Sequence, residues 1–459
     1  MTTVSDTSIA KTDRRAVLSW ALFDWAAQPF FTLITTFIFA PYFASTLAPT
    51  PEEGQSLWGF ATASAGLGIA LMAPVLGSIA DATGRRKRWI FVFSIPFLIC
   101  CWAFWFTAPG ASHSIAVAMV AFAIGTLSIE IATVFNNAMM PNLVPAARIG
   151  RLSSFGWAMG YVSGLVTLVI ALGFFSASPE TGKTLLGFEP VLGLDPKTGE
   201  GDRAVGPFSV IWYLVFVLPM FLFVPDAPQK DKIGPAIREG LKDLAENLSQ
   251  AWKNGNTFLF LIANMIFKDG LVALFAFGGI YSAGQLGWSS IEIGTFGIIL
   301  TITGTLGLAL GGPMDDRFGA KPVLIFCLIV LMICGLGMIS VDKTTVFFVI
   351  KTEAAPAGAL FASLPEQVFI GLGAVIGAVS GPLQASCRSL LIRLVPHEHM
   401  TQYFGLLALS GKVTSFMAPL AVGVVTAVTN SQPAGMSVIL LFFAVGLALL
   451  ILVKEKRAE

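Results

Sequence analysis

Ionisable side chains stand inside stretches of this sequence that are otherwise apolar. Asp24 lies in SWALFDWAAQPFFTLI (19–34), Glu130 lies in a second apolar run, and Lys268 and Asp269 lie together in a third. A charged side chain in a membrane helix costs about 2.5–3.5 kcal/mol on insertion scales, so it normally faces a partner or a water-filled cavity. These residues therefore predict proton transfer, or ion pairing with a solute, inside an apolar protein.

The polar residues recur at helical spacing. Separations of three, four, seven, eight and eleven positions place each set on one face of a helix. The sets are Asp24, Gln28 and Thr32; Thr126, Glu130, Thr133 and Asn137; Asn264 and Lys268; and Ser380, Gln384 and Arg388. Polar stripes on four helices indicate a shared aqueous path. We predict that these residues, with Asp269 and Lys412, line a cavity for substrate and protons.

Carboxylates predominate among these residues in the first half of the chain, and cations in the second. A zwitterion, which carries an ammonium and a carboxylate, would suit such a cavity. Two alternatives stay open. Asp24 could latch helices at a gate, and Asp269 with Lys412 could be a purely structural ion pair. A ladder of glycines at 156, 160 and 164 predicts close packing of two helices.

The composition indicates which solvent surrounds these runs. Hydrophobic residues make up 55% of the 459 and charged residues only 12%, whereas soluble domains average about 25% charged. A membrane-spanning helix needs roughly 20 apolar residues. Such runs occur at 16–45, 56–80, 88–108, 114–137, 152–175, 207–225, 257–284, 290–312, 321–341, 364–391, 401–428 and 434–453. Because backbone groups in lipid must be bonded within their own segment, the sequence predicts an all-α membrane protein of twelve transmembrane helices.

The basic residues predict the orientation. With both termini in the cytoplasm, 21 Lys and Arg fall on the cytoplasmic side and 5 outside, as the positive-inside rule requires. The residues GRRKR (84–88) follow the second span, and an amphipathic segment at 233–252 is expected to lie along the cytoplasmic interface. We expect a multi-pass protein of a bacterial inner membrane. The loop at 176–206 and the insertion at 342–363, with a short strand, should lie outside.

Two pairs of fragments indicate an internal repeat. GSIADATGRRKR (77–88) and GPMDDRFGAKPV (312–323) share G-x-x-x-D-x-x-G at a separation of 235 residues. A second pair shares LVP and a later glycine, Gly160 or Gly411, at a separation of 251. A duplicated six-helix unit is how one large class of transporters is built. We therefore predict two six-helix bundles, 1–225 and 257–459, joined by a linker at 226–256.

The loop with G-x-x-x-D-x-x-G-R-R-K-R resembles the signature loop of the major facilitator superfamily. The resemblance implies a cytoplasmic gate that latches one of the alternating states, and a central cavity lined by helices 1, 4, 7 and 10. The matching gate residues are Gly77, Asp81, Gly84, Arg85 and Arg86 in the first copy, and Gly312, Asp316 and Gly319 in the second. Ala320 stands where the first copy has Arg85, which predicts a weaker second latch.

Within that superfamily, SWALFDWAAQPFF, NNAMMPNLVP, FKDGLVALFAFGGIYSAG and QASCRSLLIRLVP look like the vacuole-effluxer branch of autophagy-related amino-acid effluxers. Its fungal members are associated with amino-acid efflux from the vacuole. The residues that match its pattern are Asp24, Asn137, Asp269, Arg388 and Lys412. Lys268 and the pair Gln28-Pro29 depart from it, at positions where substrate would bind.

The predicted function is secondary active transport of a small polar, amino-acid-like solute by alternating access, coupled to protons. The expected partners are the solute, protons and membrane lipid; the chain should act as a monomer and bind no nucleic acid. No cofactor or metal is expected, and no nucleophile–base constellation indicates an enzyme. A drug or metabolite efflux antiporter is one alternative, although Tyr161 follows Gly160 where the fifth helix of that class has Gly-Pro. A non-transporting nutrient sensor is another, but sensors usually carry a long signalling loop or tail.

Overall fold

Twelve long helices, α1 to α12, account for most of the chain that the structure describes. This computed structural model describes residues 13–454 apart from 84, 146–148, 227–241, 243–248, 250–251, 254, 354–359, 396–402, 404–405, 408–409 and 412. The helices are α1 Arg14–Pro29, α2 Pro51–Thr83, α3 Arg86–Ala103, α4 Ser114–Ala138, α5 Ile149–Ile170, α6 Glu200–Phe223, α7 Gly255–Leu286, α8 Ser290–Phe318, α9 Ala320–Ile339, α10 Leu364–Leu394, α11 Met417–Thr429 and α12 Gln432–Leu452. The predicted interfacial helix at 233–252 falls almost wholly outside the described residues.

Ten helical segments of the described chain are long and apolar enough to cross a membrane. The first of them is α1 with its continuation to Leu47. Helices α2 and α11 occupy the positions of the second and eleventh predicted spans, and the residues just before α11 are described only in part. The predicted all-α, multi-span membrane fold is thus confirmed.

The structure adds detail to two predicted segments outside the helices, the loop before α6 and the insertion at 342–363. Helix α6 begins at Glu200, seven residues before the predicted span at 207, because Gly199 adopts a positive φ of 66° and two acids follow in the first helical turn. Acids in this position interact favourably with the helix dipole. The insertion at 342–363 contains the predicted short strand, as an antiparallel hairpin of β1 Thr345–Val346 and β2 Ile350–Lys351.

Helix α1 changes its winding at Pro29, and Phe30–Phe37 form a π-helix. Proline has no N–H, so the carbonyl of Trp25, four residues earlier, cannot receive its helical hydrogen bond. This carbonyl oxygen accepts instead from Ser163 Oγ of α5 at 2.6 Å and from Trp212 Nε1 of α6 at 3.1 Å. The proline therefore both ends the regular α-helix and fastens α1 to its two neighbours.

The helices pack mainly within each half of the chain. In the first half, α1 lies against α5 and α6, and α4 lies against α2 and α3. In the second half, α7 lies against α12, and α10 lies against α8 and α9. The most extensive contact between the halves joins α2 and α11. Each half is therefore a packed bundle.

The halves meet toward one end of the molecule, which we call the loop side because it carries the loop after α5 and the β-hairpin. The opposite end, the terminus side, carries the start of α1 and the end of α12. A methyl group added to Gly279 would lie 2.5 Å from the carbonyl oxygen of Thr36, and Ser290 Oγ donates to Asp202 Oδ2 at 2.8 Å. Further contacts of this kind between described residues of the two halves lie on the loop side and in the middle of the helices.

Candidate functional site

The polar stripe of α1 lies against the glycine ladder of α5. Methyl groups added to the three glycines would crowd the three polar side chains in turn. The closest approaches are 2.5 Å from Gly156 to Asp24 Oδ2, 3.2 Å from Gly160 to Gln28 Oε1, and 2.6 Å from Gly164 to Thr32 Oγ1. Gln28 Nε2 also donates to Thr32 Oγ1 at 3.2 Å. The ladder allows close helix packing, as predicted, and in addition it makes room for the polar side chains.

A similar arrangement occurs in the second half. Asn264 Nδ2 of α7 donates to Ser410 Oγ at 3.4 Å. A methyl group added to Gly411 would lie 2.7 Å from Lys268 Nζ. Gly411 is the repeat counterpart of Gly160, so in each half this glycine faces the second member of an i, i+4 polar pair on the first helix. The duplication predicted from two pairs of sequence fragments is thus matched by a similar pair of contacts between the polar residues and a glycine.

Asp269 is the most deeply buried of the ionisable residues of the predicted cavity set that the structure describes. Only 1% of its surface is exposed, and the hydroxyl of Thr414 lies near its carboxylate. Lys412, its predicted ion-pair partner, lies outside the described residues. The structural ion pair therefore stays a prediction.

The stripe of α4 runs toward the terminus side. Glu130 is half-buried, eight residues before the helix ends, and its side chain already interacts with another group. Thr133 Oγ1 donates to the carbonyl of Ile129 at 2.8 Å, whereas Thr126 Oγ1 is buried without a partner among the described residues. Asn137 is exposed at the end of the helix. The four residues thus run from the bundle interior to its terminus side.

Burial along the stripe of α10 also decreases toward the end of the helix. Ser380 is buried and donates to the carbonyl of Ile376, Gln384 is half-buried, and Arg388 is exposed near the end of the helix. At 1.5 Å per residue, Asp24 and Glu130 lie about 12–15 Å from the helix ends on the same side. The stripes on α1, α4 and α10 therefore extend toward the terminus side.

The gate motif of the first half ties α3 to α6. The backbone N–H of Arg86 donates to Asp226 Oδ1 and Lys87 Nζ donates to the carbonyl of Phe221, both at 2.9 Å. Arg86 is only 8% exposed, while Arg85 is exposed. Gly77 and Asp81 lie in the last turns of α2, where side chains are not described, and Gly84 is outside the described residues.

In the second gate motif the buried acid is Asp315, which precedes the predicted gate residue Asp316. Asp316 is exposed, whereas Asp315 is buried and pairs with Arg393 of α10 at 3.7 Å. Gly312 lies within α8, and Gly319, with a φ of 93°, ends the helix. The Asp315–Arg393 pair lies within the second half, so it links helices of one bundle. The motif spacing pointed to Asp316 and gave no signal for Asp315.

Comparison with known proteins identifies the family. Residues 145–459 match the model described as "Vacuole effluxer Atg22 like", and residues 3–168 match that of the Major Facilitator Superfamily. The chain belongs to the Atg22-like family of major facilitator transporters. It is therefore a secondary transporter and not an enzyme, and the predicted family is confirmed.

The two relatives described next are distant from this chain in sequence. The chain is 22% identical to the uncharacterized MFS-type transporter YxiO of Bacillus subtilis, over 96% of this chain and 95% of YxiO. It is 23% identical to autophagy-related protein 22-1 of Neosartorya fischeri, over 67% of this chain and 49% of the fungal protein. The match thus spans about half the length of that fungal relative.

Solved structures confirm the fold. A point mutant of the nucleoside transporter NupG superposes with a TM-score of 0.67 at 12% identity, over 95% of this chain and 98% of NupG. A D-xylose–proton symporter superposes with a TM-score of 0.65 at 15% identity, over 96% and 98% of the two chains. At these identities the similarity establishes the major facilitator fold for the Atg22-like chain. It does not identify the solute.

Proposed function

We propose that this transporter carries a small zwitterionic solute of the amino-acid type and couples its movement to protons. The charge distribution on the four polar helices supports the proposal. Among the described residues of the predicted cavity, the first half contributes the carboxylates Asp24 and Glu130, and the second half contributes the cations Lys268 and Arg388 with one carboxylate, Asp269. A zwitterion between the halves would present its ammonium to one bundle and its carboxylate to the other.

A solute bound in this way would also favour closure of the cavity. Opposite charges attract more strongly as water leaves the site, because the effective dielectric constant falls. A solute with both charges can pair with both halves, whereas a monovalent analogue leaves one half without a partner. The proposed site therefore discriminates by the presence of both charges.

A ligand screen tests the solute class. A ligand that binds only the folded protein raises its stability, by about 2.7 kcal/mol at a hundredfold excess over Kd. We expect neutral α-amino acids to raise the thermal unfolding midpoint of the purified transporter. The matched amines and carboxylic acids, each lacking one of the two charges, should have little effect. Equal stabilisation by the matched amine or acid would contradict the proposal.

Glu130 is our candidate for the proton site. It is the single acid of α4, and its carboxylate can take up a proton while the cavity is open and release it when a substrate ammonium arrives. Glu130→Gln, which imitates the protonated form, should keep solute exchange but lose uptake driven by a pH gradient. Asp24→Asn should impair both, because Asp24 is proposed to contact the solute or the gate.

Proteoliposomes loaded with the solute from the screen separate these outcomes. Glu189→Gln, which neutralises an exposed acid outside the polar stripes and the gate motifs, serves as the matched control and should behave as the unmodified protein. Full pH-driven uptake by Glu130→Gln would exclude Glu130 as the proton site and make Asp24 and Asp269 the next candidates.

A further inference from the structure

A buried cluster of uncharged amides joins the two halves on the loop side. Gln55, near the start of α2, is fully buried and donates from Nε2 to Thr426 Oγ1 of α11 at 2.9 Å and to the carbonyl of Gln432 at 3.2 Å. Gln432, the first residue of α12, is also fully buried. Its Nε2 donates to the carbonyl of Pro51 at 3.2 Å. Hydrogen bonds thus run in both directions between the halves.

A second helix of the C-terminal half joins the same cluster. Gln285 Nε2, near the end of α7, donates to Gln432 Oε1 at 3.1 Å. Gly284 abuts the Gln432 carboxamide, and Gly435 abuts the hydroxyl of Thr426, so closely that a methyl group at either position would overlap them. Glycine at these two positions is therefore what allows the side chains to interlock.

The cluster continues into a contact between helix backbones. One turn further along α2, a methyl group on Gly59 would lie 2.9 Å from the carbonyl oxygen of Pro419. Two turns beyond that, one on Gly66 would lie 3.0 Å from the backbone nitrogen of Phe416. Helices α2 and α11 are thus in close contact from the loop side to the middle of the bundle. Opening on the loop side must break the amide cluster first, because it lies at the outer end of this contact.

From these contacts we infer that Gln55 and Gln432 set how often the transporter opens on its loop side. The cluster holds the loop side closed through neutral hydrogen bonds. Its hold is limited, because Gln55 Oε1 is buried without a partner among the described residues, and an unsatisfied buried acceptor disfavours the closed state. The seal is therefore weaker than one in which every buried polar atom is bonded.

Distances between spin labels on the loop side test this inference without any ligand. Thr46 and Thr429 are exposed and lie in opposite halves, so a label on a cysteine at each position reports the separation of the halves. The unmodified transporter should show mainly the short distance. Gln55→Met keeps the length of the side chain and removes its hydrogen bonds. It should raise the ratio of open to closed molecules roughly threefold to tenfold, the effect expected from losing hydrogen bonds of ordinary strength.

Gln432→Met removes one hydrogen bond between the halves, from Nε2 to the carbonyl of Pro51. It should shift the ratio in the same direction but less far, because the backbone carbonyl at position 432 still accepts from Gln55. Thr426→Val, which removes one hydroxyl from the cluster, gives a smaller shift and serves if either methionine variant fails to fold. Gln367→Met alters an exposed glutamine whose hydrogen bond stays within its own half and should leave the distances unchanged. Unaltered distances in folded Gln55, Gln432 or Thr426 variants would overturn the inference, as would an equal shift in the Gln367 variant.

Discussion

Single glycines determine where the polar side chains of the first helix can lie. Asp24 Oδ2 occupies the space that a side chain at Gly156 would need, and Gln28 does the same at Gly160. A helix that presents polar groups inside a membrane protein needs such room, because the alternative is to turn them toward lipid at a cost of several kcal/mol. The glycines of α5 are therefore expected to position the proposed solute-binding residues.

Replacing Gly156 by alanine should displace Asp24. The added methyl group would lie 2.5 Å from the carboxylate oxygen, and overpacking of this kind destabilises by roughly 1–3 kcal/mol. We expect a lower thermal unfolding midpoint and weaker solute binding in the thermal-shift screen. Gly278→Ala is the matched control, because a methyl group there meets nothing within 4 Å and alanine favours helix. Equal midpoints and equal binding for both variants would rule out a positioning role for Gly156.

The spacing of polar residues predicted the stripes, but it could not predict their partners. Asp24 and Gln28 share a helical face by sequence separation alone. That this face meets Gly156 and Gly160 depends on how α1 packs against α5, which no local pattern encodes. The same reason explains Asp315: its burial follows from the packing of α8 against α10, and the motif favoured the adjacent Asp316.

At the scale of helices, Pro29 divides α1 into two parts with different winding. The α-helical part carries Asp24 and Gln28, and the π-helical part Phe30–Phe37 approaches α7 at Gly279. The carbonyl of Trp25 that proline leaves without its helical donor is bonded by α5 and α6. From the sequence, Pro29 was noted only as a departure from the branch pattern. The change of winding could not be predicted, because the sequence does not show which groups replace the lost hydrogen bond.

We expect the effects of substitutions at Pro29 and Ser163 on stability to be coupled. Ser163→Ala should cost about 0.5–1.5 kcal/mol, the net contribution of one hydrogen bond. In a Pro29→Ala background the restored N–H can bond the Trp25 carbonyl, so the same change should cost less. Unfolding of the single and double variants by titration with SDS would give a coupling energy of about 0.5 kcal/mol or more.

Ser209→Ala provides the control for that cycle. Its hydroxyl bonds to Val205 of its own helix and not to α1, so its cost should be the same with either residue at position 29. Additive costs for Pro29→Ala and Ser163→Ala would show that the proline does not create the need for the serine.

At the scale of the whole molecule, the two halves are related in sequence and in contacts but differ in charge. Each places an i, i+4 polar pair of its first helix beside a fifth helix, where Gly160 and Gly411 are repeat counterparts. The first pair contains an acid, Asp24, and the second a cation, Lys268. The halves thus share a common arrangement, and the proposed cavity would meet an acid of this pair on one side and a cation on the other.

The orientation of the two helical bundles in the membrane is a further prediction. The excess of Lys and Arg on the terminus side, 21 against 5, favours a cytoplasmic location for that side. Arg85 and Thr198 are exposed on opposite ends of the molecule, whereas Arg86 is too buried to report. The five native cysteines are buried, and replacing them gives a background for single cysteines. In intact cells, a membrane-impermeant maleimide should label a cysteine at Thr198 but not one at Arg85 or at exposed Lys454. The opposite pattern would reverse the orientation, and the amide cluster around Gln55 would then close the path on the cytoplasmic side.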